Sequence, residues 1–232
     1  MPRSRKTRTK FSERPPPRHL RRLQQTRREV AAEAARIIAT EGQHNYHAAK
    51  KKAADRIGVS ERLALPSNIE VKEALHRYQQ LYGGAAHADN LMRKRRNAVA
   101  AMRLLAEFNP RLVGSVLDGT ADQHTRIALH VFADSPEDVV LYFLEQGRSF
   151  TQEQRQIRWF DGKHRIIPLI IFELDDTIVE LSVFEPLHLR QAPPSPIDGK
   201  PQQRATLMEA ECLLSDAEKT GGGIGQPTPA TV

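Results

Sequence analysis

The spacing of apolar positions divides the chain into a helical first half and a strand-rich second half. Val30, Ala34, Ile37 and Ile38 share one face of a predicted helix, with Thr26 and Glu29 as a capping box at its start and Gly42 as its stop. A second helix is predicted from about Asn45 to Ile57, with Tyr46, Ala49, Ala53 and Ile57 on one side and Gly58 at its end. Pro66 breaks the chain. Ser67 and Glu70 then repeat the capping pattern, and Val71, Leu75, Tyr78 and Leu81 form a third apolar face that closes at Gly83-Gly84. A fourth helix is expected from about His87 to Phe108, on the stripe Leu91, Met92, Val99, Met102 and Leu105, until Asn109-Pro110 ends it.

Beyond Pro110 the period shortens. Arg111–Val113 is a short apolar entry to Gly114-Ser115, and Ile127–Ala133 reads as a buried strand. Ser135-Pro136-Glu137 starts a helix with proline at its first position, continuing through Val139, Val140 and Phe143 to Gly147. Segments near 150–160, 166–174 and 177–184 are predicted antiparallel strands, turned at Asp161-Gly162 and Asp175-Asp176. The pattern predicts an α+β protein. A helical region spans 26–98, a small mixed or antiparallel sheet domain with flanking helices spans 99–190, and a Pro-rich connector with a last helix spans 191–216. Residues 1–25 and 217–232 are expected to be disordered.

Composition sharpens the picture at the amino-terminal end. The 232 residues carry a net charge of +7, yet eleven of the 35 Lys and Arg fall within residues 1–28 beside a single acid, Glu13. The remainder is slightly negative, so the basicity belongs to the tail. Arg3, Arg5, Lys6, Arg8 and Lys10 lead it, and Pro15-Pro16-Pro17 interrupt it. Such a polycation neutralises phosphates and releases their counterions without sequence preference. A solvated tail that only aids solubility is the competing reading. The three prolines break the amphipathic helix that a mitochondrial-type transit peptide needs. With no run of 18 apolar residues, no transmembrane helix is expected, and no secretory signal is read, so the expected setting is the cytoplasm of a bacterial-style cell. The lone Cys212 excludes a disulfide framework and a cysteine-based zinc site.

The most informative stretch runs from Gly114-Ser115 through Gly119-Thr120-Ala121 to Arg126-Ile127-Ala128-Leu129. It resembles the signature of the nucleotidyltransferase superfamily, with its DNA polymerase beta-like fold: Gly-Ser, three residues, Gly-Thr-Ala or similar, a short loop, Ser-Asp-x-Asp-Leu, and a strand. The resemblance covers roughly residues 99–190. It implies that Gly114, Ser115 and Gly119 bind the phosphates of a nucleotide, since small residues let backbone N–H groups approach closely. It also implies two carboxylates at alternate strand positions, which point the same way and hold two divalent ions with a third carboxylate from a neighbouring strand.

At those two positions this chain has Arg126 and Ala128, and Glu180 stands where the third carboxylate would be. Arginine does not deprotonate in a protein and cannot ligate a cation, and alanine offers no ligand. One carboxylate does not make a magnesium site. Asp118 and Asp122 fall in the loop and Asp134 follows the strand, so none is an obvious substitute. Two readings follow. In the first, the fold is kept, metal-dependent transfer is lost, no cofactor is expected, and Arg126 holds a phosphate directly, as guanidinium geometry allows. In the second, the metal site is rebuilt and Mg²⁺ returns, with Glu180 as its remnant carboxylate. A surface salt bridge for Arg126 and a solvated strand face for Glu180 remain the plain alternatives. The expected partner is a nucleotide or a nucleic acid; an interaction module binding another protein is the third possibility.

Other motifs carry less. Ala53 to Ser60 resembles the first helix and turn of a helix-turn-helix, but Pro66 interrupts where the recognition helix should follow. Lys50-Lys51-Lys52 and Arg93-Lys94-Arg95-Arg96 are basic runs on predicted helices, read by default as solvated faces. His44 and His47 have a ligand-like spacing without a third ligand. His130 reads as a hydrogen-bonded structural residue on its strand. Gly221–Gly225 has no strand before it, and no Gly-Lys-Ser/Thr phosphate loop occurs.

Overall fold

The computed structural model describes residues 17–43, 45–59 and 65–221. Arg3, Arg5, Lys6, Arg8, Lys10 and His44 lie outside the described residues. Helix α1 spans Arg18–Glu41, α2 Tyr46–Ile57 and α3 Asn68–Tyr82. Helix α1 begins eight residues before the predicted capping box. Thr26 lies in its interior, where its hydroxyl donates to the Arg22 carbonyl at 3.1 Å, and Pro17 stands at the N-cap. Residues 18–25 are therefore helical rather than part of a disordered tail. Their Leu, Arg and Gln residues favour helix, and the prolines set its start instead of preventing it. The other caps follow their sequence signals. Asn45 Oδ1 accepts from His47 N and Ala48 N, and Ser67 and Glu70 form a complete capping box. Val30, Ala34 and Ile37 of α1 pack with Ala49 and Ala53 of α2 and with Val71 and Leu75 of α3 in a first core.

Helix α4, Gly84–Leu104, leads through a 3₁₀ turn at Ala106–Phe108 into a five-stranded sheet. The strands are β1 Arg111–Val113, β2 Ile127–Phe132, β3 Phe150–Arg158, β4 His164–Leu174 and β5 Thr177–Phe184, in the order β1-β2-β5-β4-β3. Only β2 and β5 are parallel, so the protein is α+β with a mixed sheet. The short helix α5, Ser115–Asp118, links β1 to the β2 loop and was not anticipated from the sequence. Helix α6 spans Pro136–Glu145, and α7 spans Leu207–Gly221, one turn past the predicted end. The last helix therefore includes residues 217–221, which the sequence assigned to a disordered tail.

Alternation along the strands gives the sheet two different faces. Leu129, Val131, Leu181, Ile170 and Phe172 point to the face covered by helices, where they meet Met102 and Leu105 of α4, Phe143 of α6 and Ala210 of α7 in a second core. Ala128, His130, Glu180 and Ser182 point to the opposite face. The parallel register sets Ala128 beside Glu180 and His130 beside Ser182. Pro168 has no N–H to donate, and the β4–β5 ladder stops at Leu169. Over this open face the connector folds as a hairpin. Ser195 N donates to Lys200 O at 2.7 Å and Gln202 N to Pro193 O at 2.9 Å. Asn68 Nδ2 donates to Pro196 O at 2.8 Å and ties the hairpin to the start of α3. Among the described residues no helix is long and apolar enough to cross a membrane.

Candidate functional site

Gly114 joins β1 to α5 at φ 72 and ψ −151, a conformation open in practice only to glycine. The loop that follows is fastened from several sides. The Asp122 carboxylate accepts from His124 N at 2.9 Å and from the Thr125 hydroxyl at 2.7 Å. Lys94 Nζ donates to Thr125 O at 2.6 Å, and Gln79 Nε2 to Thr120 O at 2.9 Å. Asp118 pairs with Lys72 of α3 at 2.7 Å. The basic run of α4 is thus solvated only in part: Arg93 and Arg96 are exposed, whereas Lys94 and Arg95 turn inward. Lys94 is only 3% exposed, and burial lowers its ammonium pKa, with Arg93 adding to the effect. Arg95 reaches the carbonyls of Val116 and Leu213, at 3.4 and 3.5 Å. These contacts fix the residue before Arg126, and so fix where β2 begins.

At the centre of the open sheet face stands Glu180. Its Oε1 accepts a 2.7 Å ion pair from Arg155 Nη2 of β3, and its Oε2 a 3.5 Å pair from Arg126 Nη1. The carboxylate is 8% exposed, whereas the two arginine side chains are 50% and 47% exposed. The cluster therefore buries its single negative charge and presents two positive ones, a net positive centre. Ala128, opposite Glu180 in the register, leaves a gap beside it.

Two cavities meet here. A cleft of about 900 Å³ between the three-helix region and the sheet has Gly114, Ser115, Lys72, His47, Lys200 and Arg155 in its wall. A smaller cavity of about 410 Å³ lies over Ala128 and Glu180, and Arg155 belongs to both walls. Gly114 and Ser115 line the larger cleft and Glu180 the smaller cavity, with Arg155 common to both. Arg126 contacts Glu180 but is in neither wall. Gly119 is set apart: its carbonyl lies 3.3 Å from His87 Nε2, and a side chain there would meet Arg95 and Leu91. Its φ of 80 ends α5, and it stands in neither cavity wall.

Arg155 escaped the sequence reading. Strand β3 is polar on both faces, and Arg155 meets Glu180 only because β4 runs between their strands. His130, 4% exposed, accepts at Nδ1 from Arg204 Nε at 3.0 Å. Burial first, then Arg204 and Arg155, hold its pKa down at about 3, so the ring is neutral. Residues 60–64, where a recognition helix would follow the 53–60 unit, lie outside the described residues. Helix α3 starts at Asn68 and buries its apolar face against α1. Lys50 donates to Asn68 Oδ1 at 2.7 Å, and Lys52 pairs with Glu41 at 2.6 Å. No family model matches the chain, and no curated protein matches it.

Proposed function

We propose that the chain is a cytoplasmic nucleotidyltransferase-like module that binds the phosphate of a nucleotide or nucleic acid directly on arginine, without metal-dependent transfer. The observation that carries this reading is Arg155, half exposed, held by Glu180 at 2.7 Å and shared by both cavities beside Gly114 and Ser115. A guanidinium matches phosphate geometry and keeps its charge at any relevant pH.

The residues do not fit a two-metal clamp. A divalent ion at Glu180 would have to displace two guanidinium groups already paired with both carboxylate oxygens, and Ala128 supplies no oxygen on the facing strand. The positions that the resemblance assigns to acids instead carry a cation and a methyl group.

Calorimetry with pyrophosphate and with each nucleoside triphosphate tests the reading, run once in EDTA and once in Mg²⁺. Binding is expected in EDTA, and it weakens as salt rises. Binding that appears only with Mg²⁺, or nucleotide incorporation with it, overturns the proposal. The exposed Arg18, Arg21, Arg22 and Arg28 of α1 favour nucleic acid as the physiological partner over a free nucleotide.

A further inference from the structure

The smaller cavity has a chemistry of its own. His130, Glu180 and Ser182 stand in its wall at 4%, 7% and 7% exposure, each more than nine-tenths buried. Arg204 Nε donates to His130 Nδ1. A guanidinium has donors only, so Nδ1 is the bare nitrogen and the neutral ring carries its proton on Nε2. Neither His130 Nε2 nor the Ser182 hydroxyl has a hydrogen-bond partner among the described residues. Among the described residues, the fully buried side-chain atoms left without a partner are Gln79 Oε1, His188 Nδ1 and Arg204 Nη2. His130 Nε2 and Ser182 Oγ are not among these, so both reach the cavity that their residues line.

At its sheet side the cavity offers the His130 Nε2 donor, the Ser182 hydroxyl that turns either way, and the lone pairs of Glu180 that its arginines leave free; Gln156, Gln202, Ser195, Arg155 and Arg158 complete its polar wall. Val113, Ile157 and Pro194 add apolar wall. A second phosphate is disfavoured here by the Glu180 carboxylate. A flat, neutral ring with an acceptor and an N–H donor on one edge satisfies His130, Ser182 and Glu180 together, and such an edge is what a nucleobase presents.

We infer that this cavity holds the base of a nucleoside phosphate whose phosphate lies on Arg155. The inference rests on the function proposed above. Arg155, common to both cavities, is the point where phosphate and base would part.

The test is calorimetry on the full chain with pyrophosphate, ribose 5-phosphate, and AMP, GMP, CMP and UMP. At least one monophosphate is expected to bind about tenfold or more tightly than ribose 5-phosphate, since a site built to hydrogen-bond a group rejects the analogue without it. Ala128→Leu fills the cavity from the sheet and is expected to bring that ratio close to one. Ser182→Ala, which leaves the volume nearly unchanged, should lower it several-fold. The inference is overturned if pyrophosphate binds but no monophosphate exceeds ribose 5-phosphate, or if a folded Ala128→Leu protein keeps the ratio. Should Ala128→Leu fail to fold, an unchanged ratio in Ser182→Ala overturns it. If the wild-type chain binds no pyrophosphate at all, the parent reading fails first and takes this inference with it.

Discussion

Glu180 has opposite meanings as a metal ligand and as a counter-charge, and one substitution tells them apart. If it ligated a cation, Glu180→Gln would abolish phosphate binding. As the partner of Arg155 and Arg126 it competes with an incoming anion for their donors. Glu180→Gln is then expected to tighten pyrophosphate binding about three- to tenfold in EDTA, measured by calorimetry. Gly114 carries a different constraint. A Cβ there would meet only the Ala128 Cβ at 3.9 Å, an ordinary contact, so the penalty lies in its backbone angles. Gly114→Ala should cost about 1–3 kcal/mol in urea denaturation, and an unchanged midpoint would refute the strain. His130 adds a pH dependence. Its pKa is depressed from 6.5 to about 3, so the unfolded chain takes up a proton that the folded chain refuses. The stabilisation is complete above pH 6.5 and is lost as pH falls from there towards 3. The urea midpoint should fall between pH 7 and 5, less steeply in a folded His130→Asn variant.

Helix α1 is the element that most changes the account of the amino-terminal charge. Its first turns are exposed, carry Arg18, Arg21 and Arg22, and precede the first core residue, Val30. Replacing these three arginines by alanine should weaken binding to single- or double-stranded nucleic acid and flatten its salt dependence, with the melting temperature unchanged. Each phosphate contact contributes about one unit to the log–log salt slope, so a slope that stays the same would remove α1 from the interface. Helix α1 also shows where local reading stops. The Ser67–Glu70 box, Asn45, and the Asp161-Gly162 and Asp175-Asp176 turns are written within four residues, and they fixed the helices and strands around them. Pro15 to Pro17 and Thr26 sent equally local signals, but there a run of helix-favouring residues outweighed them. The site was legible in half. Gly114, Ser115 and Glu180 stand in one motif or one strand pattern. Arg155 depends on the order β5-β4-β3, which no short window encodes, and Lys94 looked like surface until α4 was laid against the β2 loop.

At the scale of the whole molecule, a cleft separates the three-helix core from the main sheet core, a third small cluster of Phe132, Trp159, Ile167 and Phe184 lies elsewhere on the sheet, and the described ties across the cleft are polar. Val30, Ala53 and Leu75 belong to the three-helix core, while Leu105, Leu129 and Phe143 belong to the sheet core. Lys72–Asp118, Gln79 to Thr120, and Asn68 to Pro196 cross from α3 to the α5 loop and the connector hairpin. Gln79 is 8% exposed and leaves its Oε1 without a partner, so this seam is less fully satisfied than either core. A seam of this kind opens at lower free energy than the cores it joins. Lys72→Met removes one tie and leaves Asp118 without its cation. Amides of α1 and α2 should then exchange faster by native-state hydrogen exchange, while those of β2 and β5 keep their wild-type rates. Pyrophosphate bound in the cleft touches both sides and should slow that exchange again, since a ligand that binds only the closed form stabilises it by mass action. Uniform acceleration of all amides would instead mean that the two cores unfold as one unit, and that the cleft is a groove in a single body rather than a joint between two.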